Sequence, residues 1–263
     1  MSESERCIEI FDHPSLNNPY LIAAWPGVAN VGLTALHYLR QHGGAEEFAS
    51  IDPNPFFDLA GIFIEDNLIQ DPLFPQNRFY YIKGNGKDID LIVFESDAQP
   101  GNSAYYLANA VLDLAQQFNV SRVYTLAAAL VDKFNENPGV WVAATHEYLL
   151  ENLRTQGLNL KGDFHISGMN GLLLSVAKER NMEGICFLGE TPQFPSETGN
   201  PFASLAVAEV LAKTLSRHID LSELKMHAAN TLLDIERFIA ESRQDFLDQF
   251  TVPLWERFEE ENT

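Results

Sequence analysis

Residues 21–42 read LIAAW-PGVAN-VGLTALHYLRQH: a short apolar run, a turn that contains a glycine, and a helical pattern. The apolar run predicts a buried strand, and the last part predicts a helix from about Val31 to His42. The same order recurs where a run that reaches Ile166 precedes the turn SGMNG at 167–171, a helix to about Asn181 and a strand at 184–188. Strands that alternate with helices predict βαβ units, so we expect an α/β fold with a mostly parallel sheet flanked by helices.

The middle of the chain fits the same fold class. An Asn-Gly pair at 85–86 predicts an antiparallel hairpin of Arg78–Ile82 with Asp90–Phe94. Residues 53–77 are too long for an ordinary connection, and we expect a short strand near Ile62–Ile64 within them. The other predicted elements are a helix within 101–118, a strand at 122–128, a strand at 140–145, a helix ending near Arg154 and a helix at 200–218 that Pro201 would start.

The last part of the chain predicts a helical appendage. Ser222 is suited to cap a long final helix. Its apolar stripe would comprise Leu224, Ala228, Leu232, Ile235, Ile239, Phe246 and Phe250, with Pro253 ending it. We therefore predict a core domain at 1–221 and, at 222–263, an amphipathic helix with an acidic tail that packs on the core or on a partner subunit. Packing inside the chain is the default for Trp255 and Phe258 in that tail, and the alternative is that they anchor an interface, as aromatics near a terminus often do.

Composition excludes several classes of protein. The 263 residues include 17 Lys plus Arg and 37 Asp plus Glu, a net charge of −20 that would repel nucleic acid. A hydrophobic fraction of 46% excludes a disordered chain, and two cysteines exclude a disulfide framework. The N-terminal residues lack the pattern of a signal peptide, and the longest apolar run, near 123–131, is too short for a membrane helix. We expect a cytoplasmic protein that binds neither nucleic acid nor membranes.

Two glycine turns are the candidate binding residues. The sequence GVANVGLT at 27–34 has the glycine spacing of a phosphate loop, but Leu33 stands where that loop needs lysine, which disfavours an NTPase. Gly27, Asn30 and Gly32 would either hold a small anion or polar ligand through backbone N–H groups at a helix N-terminus, or serve the turn and close helix packing.

The second turn allows the same two interpretations for Ser167, Gly168, Asn170 and Gly171. Glu190 follows a predicted strand and would point to the same edge of the sheet, as a base, a ligand contact or an ordinary exposed residue. If both turns lie at the carboxyl edge of one sheet, they would line the crevice where α/β proteins bind ligands.

No catalytic or metal-binding set emerges from the sequence. His146-Glu147 lacks the second histidine of a zinc motif because Leu150 occupies its position. A G-x-S-x-G nucleophile motif is absent, and Cys186 in an apolar strand is typical of a buried small hydrophobe. We predict no metal and no cofactor, and we favour a protein without enzymatic activity.

The order of motifs resembles the proteasome assembly chaperone 2 family over about residues 20–230. The resemblance rests on PGVANVG at 26–32, SGMNGLLL at 167–174, GICFLGETP at 184–192, and Ile219-Asp220-Leu221 with Leu224. It implies a fold like that of nucleoside phosphorylases and hydrolases, and homo-oligomers. Eukaryotic and archaeal members help to assemble proteasome α-rings, some through a hydrophobic-Tyr-x tail. This sequence ends Glu261-Asn262-Thr263, so we do not expect docking through such a tail.

Together these observations predict a non-catalytic, oligomeric assembly chaperone or scaffold. Its expected partners are copies of itself and, on the resemblance, proteasome-like subunits. The alternative is a small-molecule-binding protein or an enzyme that uses the two glycine turns. For that alternative the resemblance suggests an ATP-dependent carboxylate–amine ligase or a nucleoside-processing protein.

Overall fold

The computed structural model describes residues 7–58, 61–86, 88–101, 103–155, 158, 160–192, 199–233 and 237. The strands in chain order are β1 (Ile8–Ile10), β2 (Tyr20–Ala24), β3 (Glu46–Ile51), β4 (Ile64–Glu65), β5 (Leu68–Ile69), β6 (Asn77–Ile82), β7 (Leu91–Ser96), β8 (Arg122–Leu130), β9 (Val140–Ala144) and β10 (Glu183–Thr191). The helices are α1 (Val31–His42), α2 (Ala104–Gln117), α3 (Glu147–Thr155), α4 (Met169–Glu179) and α5 (Pro201–Leu215). The α/β prediction is confirmed.

Eight of the strands form one mixed sheet in the order β1-β3-β6-β7-β2-β8-β10-β9. The four adjacent strands β7, β2, β8 and β10 are parallel, as the βαβ pattern predicts. The flanking strands are antiparallel to their neighbours. One of these antiparallel pairs is the predicted hairpin, in which β6 and β7 pair over 77–96.

Helices cover both faces of this sheet. One face carries a core that α2 and α4 share with Leu21, Ala127 and Leu188. The residue after Leu188 is Gly189, where a side chain would instead meet Ala203 of α5. Because alternate residues of a strand point to opposite faces, α5, and α1 which packs against it, lie on the other face. The helix α5 begins at Pro201, and the Asn200 side chain caps it by accepting hydrogen bonds from two backbone N–H groups.

The long segment before β6 contains a separate two-stranded hairpin of β4 and β5, with the short strand two residues later than predicted. The hairpin turns at Asp66 and Asn67, whose φ angles of +49° and +64° suit a tight two-residue connection. Here Ile64 pairs with Ile69.

The chain divides into two compact units, 1–221 and 222–263. In the second unit residues 222–233 are helical, with Leu224 and Ala228 buried and Leu232 half-buried, which is the spacing of the predicted stripe. The rest of that stripe (Ile235, Ile239, Phe246 and Phe250), together with Pro253, Trp255 and Phe258, lies outside the described residues. Within the described part of the chain, no helix combines the length and apolar character needed to cross a membrane.

Candidate functional site

The carboxyl ends of the central parallel strands border a cleft of about 620 Å³. After β2 the chain continues into α1 on one face of the sheet, and after the neighbouring strand β7 it continues into α2 on the opposite face. The two connections therefore diverge, and such a point is where open α/β sheets leave a crevice. Residues 127–130 of β8 and Leu188 of β10 form part of its wall.

Four of the candidate binding residues surround this cleft, namely Gly27, Ser167, Gly168 and Asn170. The two glycine turns thus lie at the same edge of the sheet. The expectation that a strand reaches Ile166 is wrong, because residues 160–168 belong to a loop that follows α3. Asn30, Gly32, Gly171 and Glu190 do not line the cleft.

Gln99 joins the two turns, and the sequence alone did not single it out. Its side-chain Nε2 donates a hydrogen bond to the Pro26 carbonyl oxygen at 2.7 Å, and its Oε1 accepts one from the Met169 N–H at 3.0 Å. This carboxamide therefore ties the turn after β2 to the first residue of α4. Its position just after a predicted strand was the one available signal, and no motif accompanies it.

The two turns differ in their need for glycine. Gly168 has a φ of +74°, and a Cβ built there would lie 3.1 Å from the Gln99 Oε1. Gly27 is extended, with a φ of −163°, and a Cβ there would come no closer than 4.0 Å to another residue. The strained positions of the first turn are instead Ala29 and Asn30, with φ of +47° and +48°. Only Gly168 is thus required by its backbone conformation.

Gly32 and Gly171 serve close packing. A Cβ on Gly32 would overlap the carbonyl oxygen of Leu126, because α1 lies directly on the backbone of β8. A Cβ on Gly171 would lie 2.5 Å from the carbonyl oxygen of Ile166. Of the two interpretations for these glycines, the geometry favours helix packing.

Glu190 does not line the cleft itself, but it holds Trp141, which does. Its carboxylate accepts hydrogen bonds from the Trp141 indole N–H at 2.7 Å and the Gly139 N–H at 3.0 Å, and Lys161 lies 3.5 Å away. The Trp141 hydrogen bond, helped by those of Gly139 and Lys161, lowers the pKa of Glu190 below its ordinary value despite partial burial. The group therefore stays ionised at neutral pH, where it positions Trp141, which does line the cleft.

The lining is almost free of charge. Among the described residues that line the cleft, none is Asp, Glu, Lys or Arg, and His165 is the one ionisable side chain. Within the part of the chain that the structure covers, no group of three or more His, Cys, Asp or Glu could hold a metal ion.

Comparison with known proteins agrees with the resemblance predicted from the motifs. An uncharacterised protein of Methanocaldococcus jannaschii, MJ1210, is 27% identical over 232 residues, which cover 88% of this chain and 85% of that protein. The crystal structure of Pyrococcus furiosus PbaB, an archaeal proteasome activator, aligns with a TM-score of 0.75 and 27% identity over 88% of this chain and 97% of that chain.

Two further crystal structures share the fold. Pyrococcus furiosus PbaA, an archaeal homolog of proteasome-assembly chaperone, has a TM-score of 0.66 at 23% identity over 90% of this chain and 99% of that chain. The Mycobacterium tuberculosis proteasome-assembly chaperone homologue Rv2125 has a TM-score of 0.71 at 22% identity over 84% and 96%. The model of the PAC2 family matches residues 21–239, most of the sequence. The chain therefore belongs to the PAC2 family.

Proposed function

We propose that this chain is a non-catalytic, homo-oligomeric assembly factor for a proteasome-type particle in the cytoplasm. Its similarity to PbaB, an archaeal proteasome activator, covers nearly all of that protein, and the described residues that line the cleft include no Asp, Glu, Lys or Arg. A fold by itself hosts many functions, so the proposal needs a surface that fits it. The observation that carries it is an exposed apolar hairpin.

This apolar hairpin comprises residues 61–73. Each of six large apolar side chains on it is more than half exposed: Ile62, Phe63, Ile64, Leu68, Ile69 and Leu73. Contiguous apolar patches of this kind on a protein surface mark contacts with other proteins. The hairpin therefore supports a function in assembly.

A second copy of the chain is the partner that fits the apolar hairpin best. Two-stranded hairpins are marginal in water, and among the described strands β4 and β5 pair only with each other. The same hairpin on a second copy can pair edge to edge about a two-fold axis. Alternate residues of a strand point to opposite faces, so Ile64 and its cross-strand partner Ile69 share one face of the hairpin, and that face would meet the second copy.

Self-association is tested with the double substitution I64K/I69K, which places charges at a paired position of the hairpin. We expect the unchanged chain to be a dimer or larger by light scattering after gel filtration, and the variant to be a monomer with unchanged circular dichroism. The control is F11K, at a residue 54% exposed outside the hairpin, which should behave like the unchanged chain. A monomeric unchanged chain would contradict the self-association.

The proteasome part of the proposal has its own experiment. Purified α-type proteasome subunits are mixed with the chain, and complexes are measured by native mass spectrometry. We expect the chain to bind α-rings or their assembly intermediates and to increase the yield of complete rings. An oligomeric chain that binds no α-type subunit would overturn the proteasome role while leaving self-association intact.

A further inference from the structure

We infer that the cleft binds a small, uncharged, planar molecule that carries a carboxamide or lactam edge. The inference goes beyond the proposed function, and it rests on different residues. Its starting point is Asn170, which lines the cleft, is only 6% exposed, and has a side-chain Oδ1 that accepts no hydrogen bond from any described residue. Buried polar atoms in native proteins are rarely left without a partner. A ligand with a hydrogen-bond donor would supply the missing one.

The start of helix α4 supplies the complementary donors. The first N–H groups of a helix have no acceptor within the helix, and that of Met169 is used by Gln99. The Asn170 N–H belongs to the same first turn, whose partial positive charge favours an acceptor. The Asn170 Oδ1 is itself covered, and the soft terminal torsion of an Asn side chain would let it turn toward the cleft when a ligand binds. A carboxamide presents a donor and an acceptor side by side, which matches this pair.

Aromatic side chains that line the cleft select a planar ligand. Trp141 and Phe164 line the cleft and contact each other with ring centroids 5.4 Å apart and planes at 71°. Glu190 fixes the Trp141 indole, as described above, and aromatic faces favour stacking with flat rings. The apolar Leu188 lies on the same cleft and completes a surface suited to a ring.

Charge distinguishes an amide from an anion. The protein has a net charge of −20, and no Lys or Arg is among the described residues lining the cleft, so an anionic ligand would approach against repulsion without a cationic partner. A cationic ligand would find no carboxylate among the described residues that line the cleft. An uncharged ligand needs no charged partner and is not repelled by the net charge of the protein.

The site is also held ready for binding. Gln99 ties the turn at Pro26 to the first residue of α4, and Gly168 lets the chain enter α4 with a positive φ. Groups that are ordered before binding lose less conformational freedom when the ligand arrives. The helix start and the Trp141 indole are thus ordered before binding, and the Asn170 side chain is the group that turns.

The test uses benzamide as the probe and benzoate as its charged counterpart of the same shape. Binding to the full chain is measured by titration calorimetry and by ligand-observed NMR at up to about 10 mM. We expect benzamide to bind at least tenfold more tightly than benzoate. Tighter binding of benzoate would show that the helix start binds anions, and it would overturn the inference of an amide site. Absence of benzamide binding would overturn it as well.

The variant N170L removes both polar atoms of the side chain at nearly constant volume. We expect benzamide binding to weaken at least tenfold while the chain keeps its melting temperature, because no protein hydrogen bond to Oδ1 is lost. The control is N77L, at a buried Asn whose side-chain oxygen and nitrogen are also unpartnered among the described residues but which does not line the cleft. Equal loss of binding in both variants, or unchanged binding in N170L, would contradict the role of Asn170.

Discussion

Gly168 combines a φ of +74° with a ψ of −170°, a region that residues other than glycine adopt at a cost of about 1–3 kcal/mol. We therefore expect Gly168→Ala to lower the free energy of unfolding by about that amount, since the new methyl group also presses on the Gln99 carboxamide. Urea denaturation followed by circular dichroism measures the change.

Gly27→Ala is the control, because Gly27 is extended and has open space around its Cα. We expect it to leave stability unchanged or raise it by about 0.4–1 kcal/mol, through the smaller entropy of the unfolded chain. Equal losses of unfolding free energy in the two variants would show that both turns tolerate a side chain equally well. That result would contradict the argument from the positive φ of Gly168.

Single residues of the cleft were only partly predictable. The glycine turns stand out in the sequence, so Gly27, Gly168 and Asn170 could be named in advance. Gln99 could not, because its role depends on two backbone groups, at Pro26 and Met169, that are distant in the sequence and meet only in the folded sheet. The expectation that Glu190 points to the same rim fails since Trp141 and Gly139, on another strand and loop, engage its carboxylate.

At the scale of elements, α1 is positioned by the absence of a side chain at Gly32. A methyl group there would overlap the Leu126 carbonyl oxygen, so Gly32→Ala must separate α1 from β8. Overpacking of this kind costs about 1–3 kcal/mol and more when backbone must move. We expect a loss of about 3 kcal/mol in the free energy of unfolding, measured by urea denaturation. Gly61→Ala, where a Cβ would meet no described residue beyond the chain neighbours within 4 Å, is the control and should change little.

The edge strand β9 is attached to β10 partly through the Glu190 carboxylate. Because the pKa of Glu190 is lowered by the Trp141 hydrogen bond in the folded state, its ionised form stabilises the fold above the ordinary glutamate pKa of about 4.3. That contribution is lost as the pH falls through the lowered value. We expect Glu190→Gln to cost about 1–2 kcal/mol at pH 7, and the difference from the unchanged chain to vanish in acid.

Thermal unfolding of both chains from pH 7 down to acid pH measures this difference. A gap that persists unchanged below the ordinary glutamate pKa would mean that the shape of the side chain matters and its charge does not.

The strands of the sheet differ in how well they can be predicted from their own sequence. The strands β2, β8 and β10 are continuous apolar runs typical of buried parallel strands, and each was predicted. The strand β3 begins with Glu46 and Glu47, which are exposed, and therefore lacks an apolar run of full length. Its place beside β6 is decided by long-range pairing, which local patterns do not encode.

At the scale of the whole molecule, the family and the fold were predictable because the motifs occur in a fixed order along most of the chain. The direction of the flanking strands was not, since it depends on which strand each one meets. The apolar hairpin was predicted only as a short strand in a long connection. Exposure is a property of the folded chain, and the sequence near Ile64 looks like that of any buried strand.

Because the chain carries a large negative charge, we expect self-association through the apolar hairpin to strengthen as the salt concentration rises. Each copy carries −20, and Glu65, Asp66 and Asp71 lie on the hairpin, so two copies repel each other before their apolar side chains meet. Salt shortens the range of this repulsion from ~30 Å at 0.01 M to ~3 Å at 1 M and leaves apolar contact in place. We therefore expect the dissociation constant of the oligomer to fall as NaCl rises, as measured by sedimentation equilibrium.

The variant E65Q/D71N separates this explanation from a general effect of salt. It removes charge at the hairpin, so it should associate more tightly than the unchanged chain at low salt and respond less to added NaCl, while I64K/I69K should stay monomeric throughout. An interface built on ion pairs would respond in the opposite sense, because screening weakens attraction between opposite charges. Dissociation of the unchanged chain by salt would therefore place the contact between copies elsewhere than on the apolar hairpin.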